Sequence, residues 1–160
     1  MRRVFYPDWL GGRAAVGLLL LRVVMGTAFV FHGWSKIQNP LHWMDMKGDS
    51  GVPGALQALA ALSEFGGGIA LVLGLLTPLA ALGIAGTMGG AIGLVHLRMH
   101  HPFVASSPGP SYELAAVYLA AAILLLLVGP GKLSLDALLF GSPSQGAGNN
   151  AMTGGLASPR

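Results

Sequence analysis

The apolar positions of this chain form four long, nearly unbroken runs instead of short alternating patches. The first, RAAVGLLLLRVVMGTAFVFHG, predicts a helix from about Arg13 to Gly33; a bilayer crossing takes roughly 20 apolar residues. The second predicts a helix from about Leu56 to Leu76. Thr77-Pro78 then reads as a tight turn, because proline restricts the residue before it and suits the first turn of the next helix. A third helix is expected from about Pro78 to Leu97. A fourth is expected from about Ser111 to Val128, stopped by Gly129-Pro130-Gly131 and followed by a short amphipathic piece, Ser134 to Phe140. The longest connection, Trp34 to Ala55, holds Pro40, Pro53 and the pair His42-Trp43. It reads as an interfacial excursion with a short helix around Leu41 to Met46. His100 to Pro110 is a proline-rich loop.

Composition turns these runs into membrane spans. The charged fraction is 9% and the hydrophobic fraction 53%, the reverse of what a soluble surface needs. The expected fold class is therefore all-α, a bundle of four transmembrane helices. Three parts follow: an interfacial segment over residues 1–12, the membrane domain over 13–140, and a Gly/Ser/Asn-rich tail over 141–160 that should be disordered when alone. Met1-Arg2-Arg3 before an apolar run raises a signal peptide. The run from Ala14 to Phe31 is too long for one, carries Arg22 and lacks a small-x-small site, so it reads as a retained anchor.

Charge adds orientation and little else. The net charge of +3 is scattered, which gives no nucleic-acid patch. One set of helix ends carries Arg2, Arg3, Arg13, Lys132 and Arg160, the other Lys36, Lys47 and Arg98, which places both termini in the cytoplasm. With no cysteine, a CxxC pair, a thiolate nucleophile and a Cys-ligated Fe–S cluster are excluded. Any redox role must use a bound cofactor or a partner's centres.

Ionisable groups within or beside membrane spans are functional candidates by default. In this chain they are Arg22, Glu64, His32, His96 and Glu113. Helical spacing tests which way they face. Arg22 shares a face with Gly26 and Phe29, Glu64 with Gly67 and Gly68, His96 with Gly89 and Gly93, and Glu113 with Ala116 and Ala120. Small residues mark bundle-facing strips in membrane helices, so all four should turn inward. Depth counted at roughly 1.5 Å per residue from the expected helix ends puts Arg22 and Glu64 near the same level. An Arg22–Glu64 ion pair near mid-membrane is therefore expected, with His32, His96 and Glu113 gathered at the outer mouth.

That pair reads either as a register-fixing contact or as a ligand or proton site. His32 reads as an interfacial histidine or as a donor to a quinone carbonyl; haem or pigment ligation by His32 or His96 is the lesser reading. His96 and Glu113 read as an interfacial cap pair or a proton relay. No metal is expected, because His100-His101 sits in a loop and no set of three or four ligands has metal spacing. The Gly66-Gly67-Gly68 run lies in an apolar helix and reads as packing.

Three segments resemble the DoxX family. LLLLRVVMGTAFVFHGWSKI (Leu18–Ile37) is similar to its first helix, with an arginine in a leucine run and a His-Gly-x-x-Lys ending. EFGGGIALVLGLLTPLAALG (Glu64–Gly83) is similar to its second. YELAAVYLAAAILLLLVGPGKLSLDALL (Tyr112–Leu139) is similar to its fourth, with a Gly-Pro-Gly-x-x-Ser-Leu-Asp ending formed here by Gly129, Pro130, Gly131, Lys132, Ser134 and Asp136. The resemblance implies a four-helix protein of the bacterial cytoplasmic membrane, in a family that includes small subunits linked to thiosulfate:quinone oxidoreductase. The Trp/Met-rich first loop and the tail are additional to that pattern. The leading expectation is a membrane subunit of a redox or electron-transfer assembly that binds or routes quinone or lipid in its bundle. The alternative is a structural accessory subunit docking on a larger complex through its loop and tail. A small-solute carrier ranks lowest, as no inverted repeat is visible.

Overall fold

The computed structural model describes residues 9–45, 48 and 50–141. Most of the expected N-terminal interfacial segment and nearly all of the tail lie outside them. All regular structure among these residues is helical. In chain order, α1 is Gly12–Ile37, α2 Gly54–Leu73, α3 Thr77–Gly90, α4 Glu113–Val128 and α5 Leu135–Phe140; α3 runs straight on into a π-helical turn, Ala91–His96. Residues 41–45 form turns and bends instead of the expected short helix.

Three helices are long and apolar enough to cross a membrane: Gly12–Ile37, Gly54–Leu73 and Thr77–His96. The fourth, α4, has 16 residues, about 24 Å of helix. Leu20, Val24, Leu62, Leu79, Val117 and Leu127 point outward and exposed. Such a surface suits acyl chains and would aggregate in water. The core is thin and lies between the helices, built from Met25, Phe29, Leu71, Ile84, Ala122 and Leu125.

The helices pack in sequence, α1 on α2, α2 on α3 and α3 on α4, while α1 and α4 barely meet. The α1–α2 contact is the closest. A Cβ at Gly26 would lie 2.6 Å from the Gly68 carbonyl oxygen, one at Gly68 2.7 Å from the Gly26 oxygen, and one at Gly33 2.5 Å from the Phe65 nitrogen. Small residues thus bring the two backbones together at Gly68, as expected in a membrane bundle, while Gly67 faces Ala80 and Ile84 of α3.

Gly83 of α3 packs against Ser63 of α2, but the glycines further along α3 and in the π-helical turn behave otherwise. A methyl group added at Gly86, Gly89, Gly90 or Gly93 would meet nothing within 4 Å, and α3 packs through Ala80, Ala81, Ile84 and Met88. The expectation that this glycine strip faces the bundle is therefore corrected, although His96 beyond it is half-buried and packs on Tyr112. A glycine and alanine-rich helix offers several small faces, and side-chain volume on the neighbouring helices selects among them.

Candidate functional site

The polar groups form four separate clusters. The first sits at the end of the bundle where the chain enters and leaves. Arg22 is fully buried. Its guanidinium donates to the Leu71 carbonyl at 3.3 Å and, in a shorter bond, to that of Leu133. Asp136 is also fully buried and within electrostatic range of Arg22. Its carboxylate accepts the backbone N–H groups of Leu76 at 2.7 Å and Thr77 at 2.8 Å. A cation therefore meets the C-terminal carbonyls of α2, and an anion meets the N-terminal amides of α3. Each charge complements the dipole it faces.

Between them lies the α2–α3 turn. Gly74 has φ +66°, and a side chain there would run into Arg22 and Ser134. Leu76 adopts φ +49°, a left-handed conformation that costs a non-glycine residue roughly 1–2 kcal/mol; the Asp136 carboxylate on its N–H holds it. The ending beyond α4 supplies the rest. Ser134 caps α5 by accepting from Ala137 N–H at 3.1 Å and donates to the Gly131 carbonyl at 2.7 Å. Gly129, Pro130 and Gly131 are buried, with Gly131 against Leu18, and the Lys132 side chain lies over Gly11. Lys132 N–H donates to Leu10 O at 2.9 Å. The family-like ending is thus a strap that folds back beneath the helices. Arg22 Nε and Thr77 Oγ1 are buried without a hydrogen-bond partner among the described residues, which fits a knot selected for register more than for maximal stability.

The second cluster holds Glu64, and here the expected ion pair with Arg22 is overturned. Glu64 accepts from Lys36 Nζ at 2.6 Å through both oxygens. The reason is axial register. Arg22 sits at the level of Gly74, while Glu64 neighbours Phe65, which faces Gly33. Eleven helical steps along α1 from Arg22 to Gly33 separate the two levels by about 16 Å. Depth counted from helix ends fails because α1 runs one turn past Gly33, to Ile37, and carries Lys36 into reach. The signal in the sequence is Lys36 at i+3 from Gly33 and i+7 from Phe29, on the buried face.

Lys36 Nζ also lies 4.4 Å from the Trp43 ring centroid, a cation–π contact, so the first loop closes over the pair. Trp43 Nε1 donates to the Gln57 carbonyl at 2.9 Å. The buried Gln57 side chain donates to Asp45 at 3.0 Å and to the Val52 carbonyl at 2.9 Å, and its carbonyl accepts from Met44 N–H. The Ser50 hydroxyl, then the Gln57 amide, then Ser50 N–H hold the Asp45 carboxyl well below the usual carboxylate range. Replacing Glu64 by Gln should lower the unfolding midpoint in detergent and loosen Trp43, seen as a red shift of tryptophan emission. Removing one member of a largely buried pair costs on the order of 3 kcal/mol. Lys36 is 23% exposed, so its reach toward water places the value at that lower bound.

The third cluster is aromatic and lies on the α1–α4 seam. Phe29 and Tyr118 have ring centroids 4.9 Å apart, His32 and Tyr118 6.4 Å, Phe29 and His32 6.2 Å. Phe29 is buried, Tyr118 half-buried and His32 exposed.

The fourth cluster ends α3. His96 Nδ1 lies 3.1 Å from His101 Nδ1, and the His96 ring packs 6.4 Å from that of Tyr112. The expected meeting of His32, His96 and Glu113 does not occur. Glu113 is exposed in the first turn of α4 and makes no hydrogen bond or ion pair with either histidine. It sits where a negative charge favours a helix start. Among the described residues, no group of three or more His, Cys, Asp or Glu side chains converges.

Comparison with known proteins agrees with this architecture. The DoxX family profile matches residues 17–97. The inner membrane protein YqjF of Escherichia coli (strain K12) is 34% identical over 125 residues, covering 78% of this chain and 92% of its own length. "Putative oxidoreductase CatD" of Bacillus subtilis (strain 168) is 33% identical over 131 residues, covering 82% and 92%. No solved structure matches the chain. With helix-spanning similarity to both relatives and the profile covering α1 to α3, this all-helical membrane protein belongs to the DoxX family.

Proposed function

We propose that the protein is a membrane subunit of a quinone-linked redox assembly, and that the α1–α4 seam receives the quinone ring. The observation that carries this reading is the grouping of His32, Phe29 and Tyr118 where two membrane helices barely touch. A quinone head is flat and apolar with two carbonyl acceptors. Phe29 offers a ring face, while a His32 ring N–H and the Tyr118 hydroxyl are donors at the seam. The exposed position of His32 lets an isoprenoid-tailed molecule enter sideways from the bilayer. The name of the Bacillus relative supports a redox setting. A chain without cysteine leaves the electrons to a partner's centres. We assign both termini to the cytoplasm on the sequence count of basic residues, five in the segments on their side of the helices against three in the other connections.

The test is titration of the nanodisc-embedded protein with a short-tailed quinone. His32→Ala and Tyr118→Phe should each weaken binding about 3- to 10-fold, the value of one hydrogen bond, with helicity intact. Native affinity in the double variant would refute the site and favour the second reading, an accessory subunit without its own ligand. That reading is supported by the outward line of Gly86, Gly89 and Gly93 along α3 and its π-helical turn, a small-residue strip of the kind on which another subunit's helix packs.

A further inference from the structure

The end of α3 has an irregular backbone that brings two imidazoles together. The helix changes to a π-helical turn over Ala91–His96. Such turns are rare and concentrate at functional sites. The next turn is again closed over five residues, by His101 N–H donating to the His96 carbonyl at 2.9 Å. His100 between them takes φ +56°. The outcome is that His96 and His101 face each other through the same ring atom, Nδ1 to Nδ1, at 3.1 Å, with the rings tilted by 66°. Tyr112 backs His96, and Phe103 backs Tyr112 at 5.3 Å. Both histidines are half-buried at the end of the bundle away from the chain termini.

We propose that His96 and His101 form a two-imidazole chelate for a divalent transition-metal ion, with Cu2+ the preferred occupant. A metal at roughly 2.05 Å from each nitrogen would subtend about 98° at a 3.1 Å bite. That lies between the cis angle of a tetragonal centre and the tetrahedral angle. Without metal, one Nδ1–H donates to the other Nδ1. On binding, that proton moves to Nε2 of the same ring, so both rings stay neutral and both Nδ1 lone pairs face the ion. No third His, Cys, Asp or Glu joins the two among the described residues. The remaining positions therefore go to water or an outside ligand, which makes this an open site, unlike a closed structural one. Copper leads zinc for nitrogen donors and accepts tetragonal geometry. Because the two rings are already held together by the backbone closure, little ordering remains to be done on binding. The exposed Arg98 in the same turn opposes a cation and limits the affinity.

The test uses the full chain in detergent, purified without a histidine tag. Cu2+ is added and the sample is read by electron paramagnetic resonance and by equilibrium titration. One Cu2+ per chain with two coupled imidazole nitrogens is expected. His96→Ala and His101→Ala should each remove one nitrogen and weaken binding at least tenfold, while His100→Ala and His42→Ala keep both. Circular dichroism checks the fold, and His101→Gln, which alters only the loop side, guards against a helix effect. A wild-type chain that binds no stoichiometric Cu2+ would overturn the proposal. So would a folded His96→Ala/His101→Ala double variant that binds it unchanged.

Discussion

Replacing Asp136 by Ala is expected to cost the protein about 3–5 kcal/mol, the range seen when one member of a buried charged set is removed. Three losses coincide. The N–H groups of Leu76 and Thr77 lose their acceptor. Leu76 loses what holds its left-handed backbone. Arg22 keeps its charge in a fully buried position without a counter-ion. Asp136→Asn retains one carbonyl acceptor but not the charge, and should fall between the two. Unfolding in detergent, followed by circular dichroism against denaturant or temperature, measures both. A cycle with Arg22→Met separates the charge effect: if the two groups act together, the double variant loses clearly less than the sum of the singles. An unchanged midpoint in Asp136→Ala would show that the strap does not hold the α2–α3 turn.

The second large effect belongs to the α1–α2 contact. Gly33→Ala places a methyl 2.5 Å from Phe65 N and 2.8 Å from Phe65 Cα. Backbone atoms cannot rotate aside, so the helices must separate. Overpacking typically costs 1–3 kcal/mol, and the upper part of that range, about 3 kcal/mol, is expected here. The same displacement moves Lys36, one turn further on, away from Glu64. The variant should thus lose stability and also release Trp43 from its place over Lys36. Gly86→Ala on α3 is the control. Nothing lies within 4 Å of its added methyl, and alanine is the better helix former, so no loss of stability is expected. If Gly33→Ala and Gly86→Ala melted alike, the close approach of α1 and α2 would be refuted.

These two sites also show how far the sequence is legible. Periodicity identifies the inward faces of α1 and α2, and Arg22 and Glu64 are both buried as that predicts. It does not give their partners, because a helical face is an angle around an axis and carries no information about height along it. Height is set by which glycine meets which backbone segment across the interface, Gly26 with Gly68 and Gly33 with Phe65. Ending α1 at Gly33 stops it a turn early, although glycine is tolerated inside membrane helices; that moves Lys36 into a loop and hides the ion pair. The ending is recognisable from Gly129 to Asp136, but nothing in it announces that Asp136 caps a helix sixty residues away. Gln57, buried beneath the first loop with Asp45 and Ser50, gives no signal because a polar residue near a helix start ordinarily faces water.

The amino-acid order by itself determined the solvent, the class of fold and the places of the apolar helices, three of them long enough to cross a membrane and one shorter. These follow from the length of the apolar runs and the scarcity of charge, which are local quantities that neighbouring segments cannot change. It also determined that a few ionisable side chains would be held out of lipid, since hydrocarbon offers them no partners. Tertiary structure alone decided which of them meet. Arg22 went to helix-end carbonyls, Glu64 to Lys36, Asp136 to the amides of α3, and His96 to His101. Such pairings depend on axial offset, on a strap returning from the far end of the chain and on one irregular helical turn. The first two are fixed by contacts between segments distant in sequence, and the third by backbone hydrogen bonds that close over five residues at the end of the helix.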